Sequence, residues 1–227
     1  VTIAQHRVAA VAVAAALALG GLAATTFATA HGADRSHCAK RFPPVIVDGF
    51  PQPPMRFSER GALKTTLRMA KGPATINGRT YGGAETYEGT YPGPTLVLCG
   101  GDELSVDLTN GLDEPTNLHV HGLHVSPKPG ADDIFLHIPA GGRSTYRYKL
   151  PVDHDPGAFW YHPHLHEHVS AQIFAGLAGA IVVRGGLDDK LPDVPQRTMM
   201  IQSTELCDAT GHSVPFALTA MSASDPQ

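Results

Sequence analysis

From Leu63 onward, short apolar and alternating runs recur along the chain with turn signals between them. Leu104, Val106 and Leu108 alternate with Ser105, Asp107 and Thr109, the two-residue period of a strand with one buried face, ending at Asn110-Gly111. Tyr146, Tyr148 and Leu150 alternate with Arg147 and Lys149 in the same way. Leu96-Val97-Leu98-Cys99 runs into Gly100-Gly101-Asp102, a tight turn, and residues 158–161 and 178–183 are dense apolar runs suited to central strands. Helical spacing is confined to a short stretch around residues 169–174. Beyond residue 30 no internal repeat and no low-complexity tract interrupts the pattern, which predicts an all-β sandwich.

The ends of the chain have a different character. After Arg7, residues 8–24 are almost entirely Ala, Val, Leu and Gly, and Ala28-Thr29-Ala30 has the small-x-small form of a signal peptidase site. Residues 1–30 therefore read as a signal peptide and the protein as secreted or periplasmic. A membrane anchor is the competing reading. The apolar run of about 17 residues is at the low edge for a span and no basic stop-transfer cluster follows, so no membrane span is expected in the mature chain. Residues 31–60, with Phe42-Pro43-Pro44 and Pro51-Gln52-Pro53-Pro54, read as an N-terminal arm. Residues 61–186 form the main domain. Residues 187–227 are a linker followed by the start of a second domain, residues 197–206 restarting as a strand around Met199-Met200-Ile201.

The formal net charge of −4 over 227 residues removes nucleic acid from the expected partners. Export permits disulfides, and Cys38, Cys99 and Cys207 are an odd set. A bridge from Cys99 or Cys38 to Cys207 would pin the last segment to the main domain, and the sequence does not choose between them.

The chain has 13 histidines, and their placement says more than their number. His119-Val120-His121 and His162-Pro163-His164 are two His-x-His pairs, and residues two apart in a strand project from one face. Imidazole is a ligand for copper, zinc, iron and nickel. A single pair is commonly surface decoration. Two pairs within apolar runs, the second beside Phe159, Trp160 and Tyr161, point to metal binding, because buried imidazoles without partners are costly.

Tyr91-Pro92-Gly93-Pro94-Thr95, Gly101-Asp102-Glu103 and Leu118-His119-Val120-His121-Gly122 resemble the opening of multicopper oxidases, the laccase and copper-oxidase family. Trp160-Tyr161-His162-Pro163-His164 and Gly176-Leu177-Ala178-Gly179-Ala180 resemble that family's second histidine motif and the strand after it. The resemblance implies a cupredoxin-like Greek-key β-sandwich with the start of a second, incomplete cupredoxin domain. It also implies copper as cofactor, with partial type 2 and type 3 sites. By it, His119 matches the type 2 copper ligand, His121 and His162 two ligands of one type 3 copper, and His164 a ligand of the other. In the family these coppers form a trinuclear cluster between domains, which reduces dioxygen to water while a reductant is oxidised. Asp132 falls where related bacterial oxidases carry an acidic residue that relays protons or orients the type 2 water. An exposed turn carboxylate is the competing reading. His166 and His168 are expected in supporting or solvent roles, and His124 and His137 in packing or hydrogen bonding.

The departures from the family are equally informative. Beyond His168 the chain has only His212, and Cys207 is its only later cysteine, so it holds no His-Cys-His motif and no type 1 ligand set. The sequence therefore reads as the N-terminal part of an oxidase, supplying half of the cluster and relying on C-terminal cupredoxin domains or a partner chain. The reducing substrate is undefined by these residues. A non-enzymatic secreted copper-binding module is the alternative. A mononuclear enzyme of the cupin or zinc-lyase kind fits less well, since the cupin Glu spacing is absent after His121.

Overall fold

The computed structural model describes residues 53–76, 79–190 and 196–206. Among them nine strands form two sheets: β1 (Met55–Phe57), β2 (Ala62–Ile76), β3 (Arg79–Tyr87), β4 (Gly93–Cys99), β5 (Glu103–Gly111), β6 (His119–His121), β7 (Arg143–Lys149), β8 (Gly157–His162) and β9 (Gly179–Arg184). One sheet has the order β1-β4-β9-β8-β6 and the other β3-β2-β5-β7. The parallel pairs β1/β4, β2/β5 and β4/β9 require connections that cross between sheets, and the fold is a cupredoxin-like Greek-key β-sandwich.

The alternation read in the sequence is what closes the sandwich. Along β5, Leu104, Val106 and Leu108 are buried while their neighbours face outward, and in register Leu104 lies opposite Tyr148 and Val106 opposite Tyr146. The two tyrosine rings of β7 stack at 5.9 Å. These side chains meet Leu67 and Met69 of β2, and Leu96, Leu98, Tyr161, Ile181 and Val183 of the other sheet, in one core. All seven residues of β4 are buried, as their continuous apolar run requires. Tyr161 explains a glycine: a Cβ on Gly179 would lie 2.1 Å from its ring, so that ring fits only against bare backbone. Its hydroxyl donates to the Pro94 carbonyl at 2.7 Å.

The single described α-helix, α1 (Val169–Phe174), follows β8 and coincides with the predicted stretch. Two expectations change. The first sheet takes in Met55–Phe57, within the stretch read as an arm, because β1 pairs with β4. Residues 197–206 do not form a strand; they meet the end of α1, with the Glu205 amide donating to the Phe174 carbonyl and Gln202 Nε2 to the Ile173 carbonyl. Hydrogen bonds to a helix end have replaced the sheet ladder. Cys99 is disulfide-bonded, and both other cysteines lie outside the described residues. The predicted signal peptide lies outside them as well. Among the described residues no helix is long and apolar enough to cross a membrane.

Candidate metal centre

The two histidine pairs come together because β6 and β8 are antiparallel neighbours, with His119 opposite His162 and His121 opposite Trp160. Gly122, at φ +90°, turns the chain away directly after His121, where a Cβ would meet the Phe159 ring at 2.8 Å. The first pair behaves as a strand pair. The second does not: β8 ends at His162, and Pro163 and His164 lie beyond it. Pro163 has no N–H with which to continue a ladder. Even so, the His164 ring lies 5.0 Å from that of His119 and 5.8 Å from that of His162. His119 is also 5.7 Å from His121 and 5.2 Å from His162, and His121 is 6.1 Å from His162, centroid to centroid. The four predicted ligands thus form one cluster centred on His119.

Hydrogen bonds decide which nitrogen each ring presents. His119 Nδ1 donates to the Asp132 carboxylate, at 2.9 Å to Oδ2 and 3.1 Å to Oδ1. The Val120 amide donates to the same carboxylate at 3.0 Å. Asp132 is therefore not an exposed turn carboxylate; it fixes the His119 tautomer with the Nε2 lone pair free. His162 Nδ1 donates to the Pro163 carbonyl at 2.8 Å, which leaves its Nε2 as an acceptor. That Nε2 is buried and has no hydrogen-bond partner. Burial pushes the His162 imidazole down to about 4, with neighbouring His119, His164 and His121 adding to the effect against the Pro163 carbonyl. Trp160 stacks on His162 with centroids 4.0 Å apart and holds the ring in plane.

This donor set fits copper. Imidazole is a copper ligand, His119 and His162 each have Nδ1 engaged and Nε2 directed elsewhere, and an orphaned buried Nε2 such as that of His162 is the kind of atom a metal satisfies. Among the described residues no three His, Cys, Asp or Glu side chains converge on a single ion position.

The remaining histidines divide by contact. His168 Nδ1 bonds Glu114 Oε2 at 2.9 Å, and His166 is exposed. His164 and His166 line a cleft of about 400 Å³ together with Ile134, Phe135 and Glu167. The His124 amide donates to His154 Nε2 at 3.0 Å, and His137 is exposed. Sequence reasoning missed His154, which is buried with both ring nitrogens engaged. It also missed the buried polar side chains that tie the site together. Asn117 accepts from the His164 amide and donates to the Ile134 carbonyl. Gln172 of α1 accepts from Thr116 and donates to the Pro115 carbonyl. Their one signal was a polar pair, Thr116-Asn117, leading directly into an apolar strand. Glu85, buried on β3, is pushed up to about 7, first by burial and then by Glu114, with Lys71 lowering it and Asp113 raising it.

Comparison with known proteins agrees with this geometry. The multicopper oxidase family profile matches residues 68–187. The multicopper oxidase mco of Staphylococcus haemolyticus is 32% identical over 132 residues, 58% of this chain and 29% of that protein. The multicopper oxidase MmcO of Mycobacterium tuberculosis is 41% identical over 81 residues, 35% of this chain and 16% of that protein. The solved structure of CueO, a laccase-like multi-copper oxidase from Ochrobactrum sp., superposes with a TM-score of 0.53 at 31% identity, over 63% of this chain and 32% of that one. This chain thus spans about a third or less of the length of each of these relatives. With more than half of its residues inside the match, and two histidine pairs gathered into one cluster, the chain belongs to the multicopper oxidase family.

Proposed function

We propose that residues 61–186 are the N-terminal domain of a multicopper oxidase and supply four imidazoles to a trinuclear copper cluster. In this reading His119 holds the type 2 copper, His121 and His162 share one type 3 copper, and His164 serves the other. The observation that carries it is the cluster itself: imidazoles on two adjoining segments, with the buried Nε2 of His162 left without a partner. The ligands would be divided among several metals, each completed by a further cupredoxin domain. The coppers, when bound, supply one-electron chemistry for reducing dioxygen to water at the expense of a reductant. The chain's own residues hold and orient. Asp132 fixes the His119 tautomer, Trp160 and the Pro163 carbonyl fix His162, and burial keeps His162 unprotonated and able to bind. Export of the protein, by a signal peptide over residues 1–30, belongs to the same proposal.

Titration of the chain with Cu(II), followed by calorimetry and electron paramagnetic resonance, tests the reading. The expected result is weak, substoichiometric binding with an ordinary paramagnetic spectrum. It should be lost in the His121→Ala/His162→Ala double variant while the circular dichroism of the fold is kept. The chain alone should show no strong blue absorption and no turnover of phenols. Three tightly bound coppers in the isolated chain, or unchanged binding by the double variant, would overturn the assignment.

A further inference from the structure

We infer that Asn117 is a positioning residue for the copper ligands, joining the segment that carries His119 and His121 to the one that carries His162 and His164. The inference rests on the copper-binding reading above. Asn117 is fully buried, and both ends of its amide are used. Oδ1 accepts from the His164 amide at 2.6 Å, and Nδ2 donates to the Ile134 carbonyl at 2.7 Å. The residue stands two positions before His119, and its second partner stands two positions after Asp132, whose carboxylate holds His119 Nδ1. One side chain therefore spans the three segments from which the ligands and their orienting acid come.

The sheet cannot do this work. β6 is three residues long and, among the described residues, pairs only with β8, and the ladder between them stops at His119 and His162. His164 lies past the strand end and past a proline, so no strand neighbour receives its N–H, and Asn117 Oδ1 does. The entry to β6 is fixed in the same way by side chains, with the Leu118 amide donating to the Tyr146 hydroxyl at 3.0 Å. Placement of His164 against His119 thus depends on an amide whose carbonyl and NH2 ends are both specified, and neither an apolar nor a carboxylate side chain reproduces both.

A merely structural Asn117 would satisfy buried backbone groups and nothing more. Its loss would lower stability but leave the copper affinity of folded molecules unchanged. The test compares the wild-type chain with Asn117→Asp, which keeps the acceptor for His164, and Asn117→Leu, which has similar volume and neither arm. Cu(II) affinity is measured by calorimetry under conditions where circular dichroism shows each variant folded, and amide exchange is measured on a peptide containing His164. We expect Asn117→Leu to lose roughly tenfold in Cu(II) affinity and to exchange faster at His164. Asn117→Asp should lose less and stay close to wild type in exchange. In the wild-type chain, Cu(II) itself should slow exchange at that peptide, because coupling between ligand and link is reciprocal. This last measurement decides the matter if neither variant folds.

Folded variants that bind Cu(II) as the wild type does would overturn the inference and leave the copper site standing. Exchange at His164 that is indifferent to both Cu(II) and Asn117→Leu would do the same. A wild-type chain that takes up no Cu(II) would overturn the copper-binding reading and this inference together.

Discussion

The middle of the sandwich and its β6 end are held by different forces. Between β5 and β7 the order comes from apolar alternation: Leu104, Val106 and Leu108 face inward opposite a stacked tyrosine pair, and neighbouring ladder bonds fix the register. At the β6 end the sheet runs out, and Asn117, Asp132, Gln172, Glu114 and Tyr146 bind the loops through buried or half-buried polar contacts. A hydrophobic contact tolerates small shifts, whereas a buried hydrogen bond fixes distance and direction and is costly to leave unmade. The stable half therefore holds the molecule together, and the polar half sets where the imidazoles point.

The largest effect should come from breaking the apolar half. Leu108→Ala, fully within the core, should lower unfolding free energy by about 3 kcal/mol in urea titration, with Cu(II) affinity of the folded fraction unchanged. A shift in that affinity would blur the division between the two halves.

The next effect belongs to Glu85. Its folded value, about 7, lies above its ordinary 4.5, so the folded chain binds more protons than the unfolded one between those values. Stability contributed by the protonated carboxyl is fully present below 4.5 and is lost as pH rises through 7, by on the order of 2–3 kcal/mol. Glu85→Gln should flatten that part of the stability profile measured by denaturant titration at successive pH values. A slope that survives the substitution would assign it to other groups.

Asp132→Leu should have a smaller effect on stability, about 1–2 kcal/mol, from the unpaired Val120 amide and His119 Nδ1. Its distinguishing result is a roughly tenfold loss of Cu(II) affinity, which Leu108→Ala should not show. The smallest effect is expected at His166, which is exposed. His166→Ala should stay within about 0.5 kcal/mol of wild type and bind Cu(II) normally; a clear loss in calorimetry would make it a ligand.

The same division explains what was legible in the sequence. Strands β5, β7, β8 and β9 were visible because a two-residue period or a continuous apolar run leaves a trace at every position. The four candidate ligands were visible because two His-x-His pairs are rare and match a family pattern. Asp132 stood out by its distance from His121 and the resemblance, but its bond to His119 depends on a loop whose path no periodicity encodes. His154 left no trace and Asn117 only the polar pair it forms with Thr116, since a buried polar residue is recognised by partners that the chain supplies 30 and 47 positions away. The reading of 197–206 as a strand rested on the apolar core Met199-Met200-Ile201, but Met199 and Ile201 are exposed, and the segment is tied by hydrogen bonds to the helix end at Ile173 and Phe174.

The brevity of β6 has a consequence for solubility. Among the described residues the five-stranded sheet ends on one side at His119–His121 and on the other at Met55–Phe57, so both margins are strands of three residues. A sheet margin is a template on which another molecule can add a strand, and the hazard grows with the length of unpaired backbone on offer. Three residues, closed off at Gly122 by a left-handed turn, give an incoming strand little to zip along. The shortness that leaves His164 outside the ladder, with its amide bonded to the Asn117 side chain, also gives this margin little backbone for strand-to-strand aggregation.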